Sequence, residues 1–191
     1  AARAAQSHIG LARALAKDPK TRQRRRQIIT APAQVRSVGE AVFAAEDLHS
    51  IAKAQAESQS EERNAREKAE LMRQLGMEEG QTPASHQRAR IRELEEDQKR
   101  RSKRAIQDAL DRALVDLLGI YRDVLMRQLG SDQEPINDDC VDLIEELATR
   151  STPQQTMKRV QAIEDARKRL TTNMSVPLIL EAMTLSLRPQ V

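Results

Sequence analysis

Aromatic side chains are almost absent from this sequence, which has one Phe, one Tyr and no Trp among its 191 residues. Strands favour aromatic and β-branched side chains, so this scarcity argues against a β-rich fold. The commonest residues are instead good helix formers, chiefly Ala, Leu, Arg, Glu and Gln. The sequence therefore predicts an all-α protein, a helical bundle whose core is closed by small and aliphatic side chains.

Cysteine, long apolar runs and a strong charge of one sign are also lacking. The single cysteine, Cys140, excludes an internal disulfide and a cysteine zinc site. No apolar run is long enough to span a bilayer and no signal-peptide pattern occurs, so we expect no membrane partner and a cytoplasmic location. The 32 Lys and Arg residues nearly balance the 29 Asp and Glu residues, which does not by itself indicate nucleic-acid binding.

The sequence patterns of catalytic sites are missing as well. It has no Gly-rich phosphate loop, no nucleophile elbow and no His-Glu-x-x-His pair, and its three histidines lie far apart. The neighbouring acids Glu145 and Glu146 point about 100° apart on a helix, so they cannot share a site. We therefore predict no catalytic residue, no metal and no cofactor in this chain, and we predict that the chain is not an enzyme.

The strongest periodic pattern runs from Ile106 to Leu129. Apolar residues recur there every three or four positions, which predicts a helix with one buried face. This helix would be roughly 36 Å long, the width of a small domain. We interpret it as the central helix of a bundle. The buried face is predicted to hold Ile106, Leu110, Leu114, Leu117, Tyr121, Val124 and Gln128 or Leu129, and the solvated face Asp108, Arg112, Asp116, Arg122 and Asp123.

A short helix is predicted over residues 1–17, and two further helices follow it ahead of the central one. The pair Asp18-Pro19 is typical of a helix start, and Pro32 is expected to end that helix. Ser37 and Glu40 have the spacing of a capping box, which predicts a second helix start. The inner face of this second helix is predicted to consist of Val38, Val42, Ala45, Leu48 and Ile51.

Residues 55–104 form a charged segment that keeps its helical propensity but loses the apolar stripe. Gly76 is predicted to end one helix and Thr82-Pro83 to begin the next. Both helices are polar near this turn and apolar away from it, which predicts an antiparallel hairpin that projects from the bundle. The alternative is that part of the segment is disordered. The arms would be held together by Leu71, Met72, Leu75, Ile91 and Leu94.

Three shorter helices are predicted after Gly130, which is expected to end the central helix. Asn137 is expected to cap the first, Thr152-Pro153 to begin the second and Val176-Pro177 to begin the last. The last helix is apolar nearly all round, so it must be enclosed or pack against another subunit. The first two helices are predicted to bury Val141, Leu143, Ile144, Leu147, Met157, Val160, Ile163 and Leu170. Subunit-interface candidates on the last helix are Leu178, Leu180, Met183, Leu185 and Leu187.

One basic run stands out near the start of the chain. Its arginines, Arg22, Arg24, Arg25 and Arg26, are candidates for contacts with phosphates. No aromatic residue is interleaved with them for base stacking. A solvated face or an interface is therefore the alternative interpretation of this run.

A residue pattern marks each end of the chain. The pattern at the C-terminal end comprises Ile163, Glu164, Ala166, Arg167, Leu170, Asn173, Pro177, Leu180 and Glu181. Near the start, residues 8–16 form a short helical pattern with Gly10 and Arg13. Together the two patterns resemble bacterial clamp-loader subunits, most closely the delta prime family, in which Gly10 and Arg13 would stand at the glycine and arginine positions of the sensor-2 helix of an AAA+ lid. The charged hairpin is not part of the usual pattern.

The resemblance implies a division of the chain and a role for it. Residues 1–34 would be the C-terminal part of an AAA+ lid domain, and residues 35–191 a helical collar domain with 55–104 as an insertion. The chain would be a piece of a longer protein whose ATPase core precedes residue 1. The collar would bind the gamma/tau and delta subunits of the loader, and DNA only indirectly, through the assembled loader that places the sliding clamp on primed DNA.

Two alternatives stay open at this point. One is the collar of a gamma/tau-type ATPase subunit of the same loader, which an intact phosphate loop in the preceding sequence would identify. The other is an unrelated helical adaptor or nucleic-acid-binding module, in which the arginine run and the charged hairpin bind the partner.

Overall fold

A computed structural model of the protein describes Arg13, residues 16–77 and residues 82–189, without the side chains of Lys20 and Arg24. Its regular elements in this part are all helical, which confirms the predicted all-α class. The elements are α1 (Pro19–Ala33), α2 (Val38–Gln74), α3 (Ser85–Gln128), a 3-10 turn (Asp138–Cys140), α4 (Val141–Arg150), α5 (Pro153–Leu170) and α6 (Val176–Leu187). Among the described helices, none has the length and apolar character needed to cross a membrane.

The chain divides into two compact units. The first, called here the bundle unit, comprises Ala1–Ser50 and Leu110–Val191, and the second, the hairpin unit, comprises Ile51–Ala109. The described part of residues 1–34 thus belongs to the same unit as the C-terminal helices. The assignment of residues 1–34 to a lid and of 55–104 to an insertion stays a prediction.

Helix α3 supplies the centre of the bundle unit. The predicted positions from Leu110 to Val124 are fully buried, whereas Ile106 is half-buried and Leu129 is 65% exposed, so the prediction is wrong at these two ends. The fully buried positions are Leu110, Leu114, Leu117, Tyr121 and Val124. The prediction for its opposite face is wrong at Asp123, which is only 3% exposed. The carboxylate of Asp123 is tolerated there because buried groups from another segment donate hydrogen bonds to it, as described below.

The predicted inner face of α2 is confirmed at Ala45 and Leu48, which are buried, but it is wrong at the two valines. Val38 and Val42 are 55% and 40% exposed, whereas the alanines beside them are buried. Small side chains let α6 approach so closely that the Thr184 hydroxyl donates a hydrogen bond of 2.8 Å to the carbonyl of Ala41. Leu185 of α6 packs against the same surface. The buried face in this unit is Ala41, Ala44, Ala45 and Leu48.

The contact between α2 and α6 gives a first testable prediction. Thr184→Val keeps the shape of the side chain but removes the hydroxyl, leaving the buried Ala41 carbonyl without this donor. We expect the free energy of unfolding to fall by about 0.5–1.5 kcal/mol in urea denaturation. Ser186→Ala, which removes an exposed hydroxyl from the same helix, is the control and should change stability by less than about 0.5 kcal/mol. A Val variant as stable as the native chain would contradict this role.

Helix ends follow local signals closely. Gly76 and Gly130 adopt φ values of +64° and +68°, and both terminate their helices as predicted. The N–H of Met77 bonds to the carbonyl of Met72 at 3.0 Å, the hydrogen bond that closes a Schellman motif. The left-handed conformation explains why glycine is needed at both positions.

Helix starts are confirmed where a capping box is present. The Glu40 N–H donates to the Ser37 hydroxyl at 3.1 Å, and the Glu40 carboxylate accepts from the Ser37 N–H at 3.4 Å. Thr152 and Gln155 form the same reciprocal pair at α5.

Two predicted boundaries are wrong near prolines. Helix α3 begins at Ser85 rather than at Pro83, because the Gln87 side chain accepts from the Ala84 N–H at 2.7 Å and fixes the start there. Pro32 lies inside the last turn of α1 instead of ending it. The turn closes beyond it through the Gln34 N–H and the Thr30 carbonyl, at 3.1 Å.

The predicted burial is wrong at one apolar residue of α4 and one of α5, and α5 also buries two polar residues that the apolar pattern did not predict. Val141 and Met157 are 41% and 51% exposed, whereas Thr156 and Arg159 are buried. On α5 the buried side chains recur every three or four residues together with Ile163, Ala166 and Leu170. Met157 lies one position off that face, which explains why its predicted burial is wrong.

The hairpin unit consists of two antiparallel arms. Gln87, Glu95 and Gln98 pair in reverse order with Leu75, Lys68 and Asn64, at distances of 3.0–3.1 Å. The pKa of Glu67 is lowered to about 2 by hydrogen bonds from Arg101 and then Arg63. The predicted hairpin pairing is therefore present, with the apolar residues Leu71, Met72, Leu75, Ile91 and Leu94 half-buried along it.

Candidate functional site

A buried arginine on α1 organises the polar interior of the bundle unit. The side chain of Arg25 is 5% exposed. Its Nε donates to Asp116 of α3 at 3.2 Å and its Nη1 to Asp139 of the 3-10 turn at 3.3 Å. Its Nη2 donates to the Oδ1 of Asn137. One guanidinium thus joins three separate parts of the chain.

Asn137 extends this network to the central helix. Its backbone N–H and its Nδ2 both donate to Oδ2 of Asp123, at 2.9 and 2.8 Å. The other carboxylate oxygen of Asp123 accepts from Arg122 at 2.8 Å. The predicted role of Asn137 as a helix cap is wrong, because its side chain makes no capping hydrogen bond and bridges Arg25 and Asp123 instead.

The electrostatics of this network fit a structural role, in which Arg25 holds α1 to α3 and to the 3-10 turn. Burial raises the pKa of Asp116 above its usual value, opposed by the positive charge and hydrogen bond of Arg25. Burial also raises the pKa of the Cys140 thiol, with Asp139 adding to the effect. This thiol is buried and free. No group of His, Cys, Asp and Glu in the described residues has the arrangement of a metal site.

The arginine run does not act as one surface. Arg22 and Arg26 are exposed, and Arg22 donates to the carbonyl of Ala16 at 3.2 Å. Arg25 is occupied by acidic partners inside the bundle unit, so it is not available for a phosphate. The side chain of Arg24 lies outside the described residues. Of the predicted sensor-2 pair, Gly10 lies outside them too and Arg13 is exposed.

The interface candidates on α6 divide into two groups. Leu180, Met183 and Leu187 are at most 2% exposed, and Leu185 packs on α2, so this chain itself covers them. Leu178 is 61% exposed. The exposed apolar surface that the sequence did not predict lies on α2, where Phe43 is 67% exposed on the side opposite the buried alanines. The signal available in the sequence was that its one Phe, Phe43, lies outside the predicted inner face of this helix.

The residues of the C-terminal resemblance have defined places in the fold. Ile163, Ala166 and Leu170 form the buried face of α5. Arg167 donates from Nε and Nη2 to the two carboxylate oxygens of Asp111, at 2.7 and 3.1 Å, which fastens α5 to α3. Paired hydrogen bonds of this kind fix orientation as well as adding stability.

The hydroxyl of Tyr121 gives a second prediction. Tyr121 is fully buried, its hydroxyl has no hydrogen-bond partner among the described residues, and burial raises its pKa to about 12. Because an unsatisfied buried hydroxyl costs stability, Tyr121→Phe should leave the free energy of unfolding unchanged or raise it by up to about 1 kcal/mol. Tyr121→Leu is the comparison that removes the ring as well, and it should destabilise. A loss above about 1 kcal/mol for the Phe variant, in urea denaturation, would contradict this account.

Comparisons with known proteins agree with the resemblance at the C-terminal end. Residues 105–188 match the family described as DNA polymerase III, delta subunit, C terminal. A 72-residue stretch is 38% identical to DNA polymerase III subunit delta' of Bacillus subtilis (strain 168), covering 38% of this chain and 22% of that protein. No solved structure matches the chain.

Residues 105–188 are thus similar to the C-terminal part of DNA polymerase III delta subunits, and the all-α fold agrees with the class predicted from the sequence. The relative with the 72-residue match is a delta prime subunit, the type that the sequence resembles, and the chain spans about a fifth of its length.

Proposed function

We propose that this chain belongs to a clamp-loader subunit of the delta prime type and that its helical bundle holds the loader ring together. The bundle would pack against the corresponding helical domains of the gamma/tau and delta subunits. The observation that carries this proposal is the apolar surface left uncovered on α2 and α6, with Phe43 and Leu178 each more than 60% exposed. Large exposed apolar side chains of this kind are typical of protein interfaces.

The bundle would act mechanically and would contain no catalytic residue. Arg25 joins α1, at the end of the proposed lid, to α3 and to the 3-10 turn. Because this link is buried and bonded at several points, α1 would move with the bundle as one body. If an AAA+ module ahead of the chain rotates, α1 would transmit that rotation to the collar, or the collar would resist it. Such a subunit would work in the cytoplasm, on DNA reached only through the assembled loader.

Mixing the chain with purified gamma/tau and delta subunits tests the proposal. Light scattering after gel filtration should show a complex whose mass is the sum of this chain and its partners. If the chain stays at its own mass with both partners present, the proposed assembly role is wrong. If it instead binds DNA alone, with an affinity that falls steeply as salt rises, the nucleic-acid-binding alternative is supported.

A further inference from the structure

A cavity of about 360 Å³ lies between α5 and α6, on the part of the bundle unit not used by the Arg25 network. Its walls include the aliphatic side chains of Ile179 and Met183 and the basic side chains of Lys158, Arg159 and Arg169. The cavity is roughly ten times the volume that one water molecule occupies in the liquid. It therefore has room for a small polyatomic ligand.

Arg159 is the unusual side chain in this cavity. It is only 5% exposed, yet it makes no hydrogen bond or ion pair with any residue that the structure describes. By contrast, Arg25, which among the described arginines is buried to the same extent, has acidic and amide partners. Each nitrogen of the Arg159 guanidinium stays in contact with the solvent of the cavity, so its hydrogen-bond donors are available to a ligand.

The remaining charges at the cavity do not neutralise Arg159. Asp165 is the one acidic residue in the wall, and it accepts a hydrogen bond from Gln161 at 2.9 Å and lies 3.9 Å from Lys168. Three basic side chains and one engaged acid leave the site with a net positive charge. The donors of a guanidinium are arranged to bind the oxygens of a carboxylate or phosphate group.

We propose that this cavity is an oxyanion-binding site in which the guanidinium of Arg159 receives one phosphate or carboxylate group. Lys158 and Arg169 supply positive charge at its edge, and Ile179 and Met183 form the apolar wall that lowers the local dielectric. The site does not depend on the proposed assembly role, because every residue that forms it comes from this chain.

Titration of the chain with inorganic phosphate, and separately with acetate, tests the proposal at constant ionic strength. The side-chain Nε–H signal of Arg159 in NMR reports on the site directly. We expect a saturable shift of this signal with at least one of the two probes. A shift with phosphate alone indicates that the site prefers a phosphoryl ligand, and a shift with acetate alone indicates that it prefers a carboxylate. A shift with both probes indicates a site that accepts either oxyanion.

Two variants make the test specific. Arg159→Met keeps the length of the side chain and removes the charge, and it should weaken binding, followed by calorimetry, at least tenfold. Arg73→Met, an exposed arginine of the hairpin unit, is the matched control and should bind as the native chain does. If neither probe binds, or if both variants bind equally well, the proposal is wrong.

Discussion

Arg25→Met is expected to lower the free energy of unfolding by about 3–5 kcal/mol, the largest effect of any single substitution considered. The variant removes one cation from a site that also contains the largely buried side chains of Asp116 and Asn137 and the partly exposed carboxylate of Asp139. Breaking a buried ion pair from one side is costly because the remaining carboxylate stays out of water and uncompensated. Urea denaturation followed by circular dichroism measures the loss.

Arg26→Met is the matched control for this prediction. It removes the same charge from the next residue, which is exposed, so stability should change by less than about 0.5 kcal/mol. Adding Asp116→Leu to the Arg25→Met variant should recover part of the loss, because the double variant no longer buries an unpaired charge. Equal stability of the Arg25 and Arg26 variants would contradict the fastening role of Arg25.

The loss in the Arg25→Met variant should also depend on pH. Burial already raises the pKa of Asp116, and Arg25 opposes that rise. Without Arg25 the pKa rises further, so the folded variant binds a proton at a pH where the unfolded chain does not. Folded-state protonation of this kind makes stability increase as pH falls. The difference in unfolding free energy between native chain and variant should therefore shrink between pH 7 and pH 5.

Asp123→Ala is expected to cost about 2–4 kcal/mol, because two buried donors lose their acceptor at once. The backbone N–H and the Nδ2 of Asn137 both bond to this carboxylate, at 2.9 and 2.8 Å. Each donor left unsatisfied carries its own desolvation cost. Asp123→Asn keeps the shape and one acceptor oxygen, so it should lose less than the Ala variant.

Asp132→Ala provides the control for the Asp123 variants, since it removes an exposed carboxylate from the loop after α3. Its unfolding free energy should match that of the native chain within about 0.5 kcal/mol. If Asp123→Ala is equally harmless, the bridge from Asn137 to α3 does not stabilise the fold.

Features decided by a few neighbouring residues were predictable from the sequence. The glycine stops at Gly76 and Gly130 and the capping box at Ser37 depend on contacts within five residues. The buried stripe of α3 was also correct, because large aliphatic side chains such as Leu114 and Leu117 have no other favourable place.

Features decided by distant partners were not predictable. Arg25 looked like one of several exposed arginines, and its burial depends on Asp116 and Asn137, which lie 91 and 112 positions away. Ala41 is buried and Val42 exposed because Thr184, 143 positions on, bonds to the α2 backbone. Apolar periodicity carries no information about such pairings, so it placed Asp123 in solvent and Val38 in the core.

The most direct test of the account measures how tightly the chain binds the gamma/tau and delta subunits when its exposed α2 face is altered. Phe43→Ser changes a side chain that is 67% exposed, and Leu129→Ser changes one that is 65% exposed at the end of α3, so both variants should fold normally. If the α2 face binds the other subunits, Phe43→Ser will bind them at least about tenfold more weakly than the native chain does, as expected for an aromatic interface residue. The control variant Leu129→Ser will bind them as tightly as the native chain does. Equal binding by the native chain and Phe43→Ser would contradict this assignment.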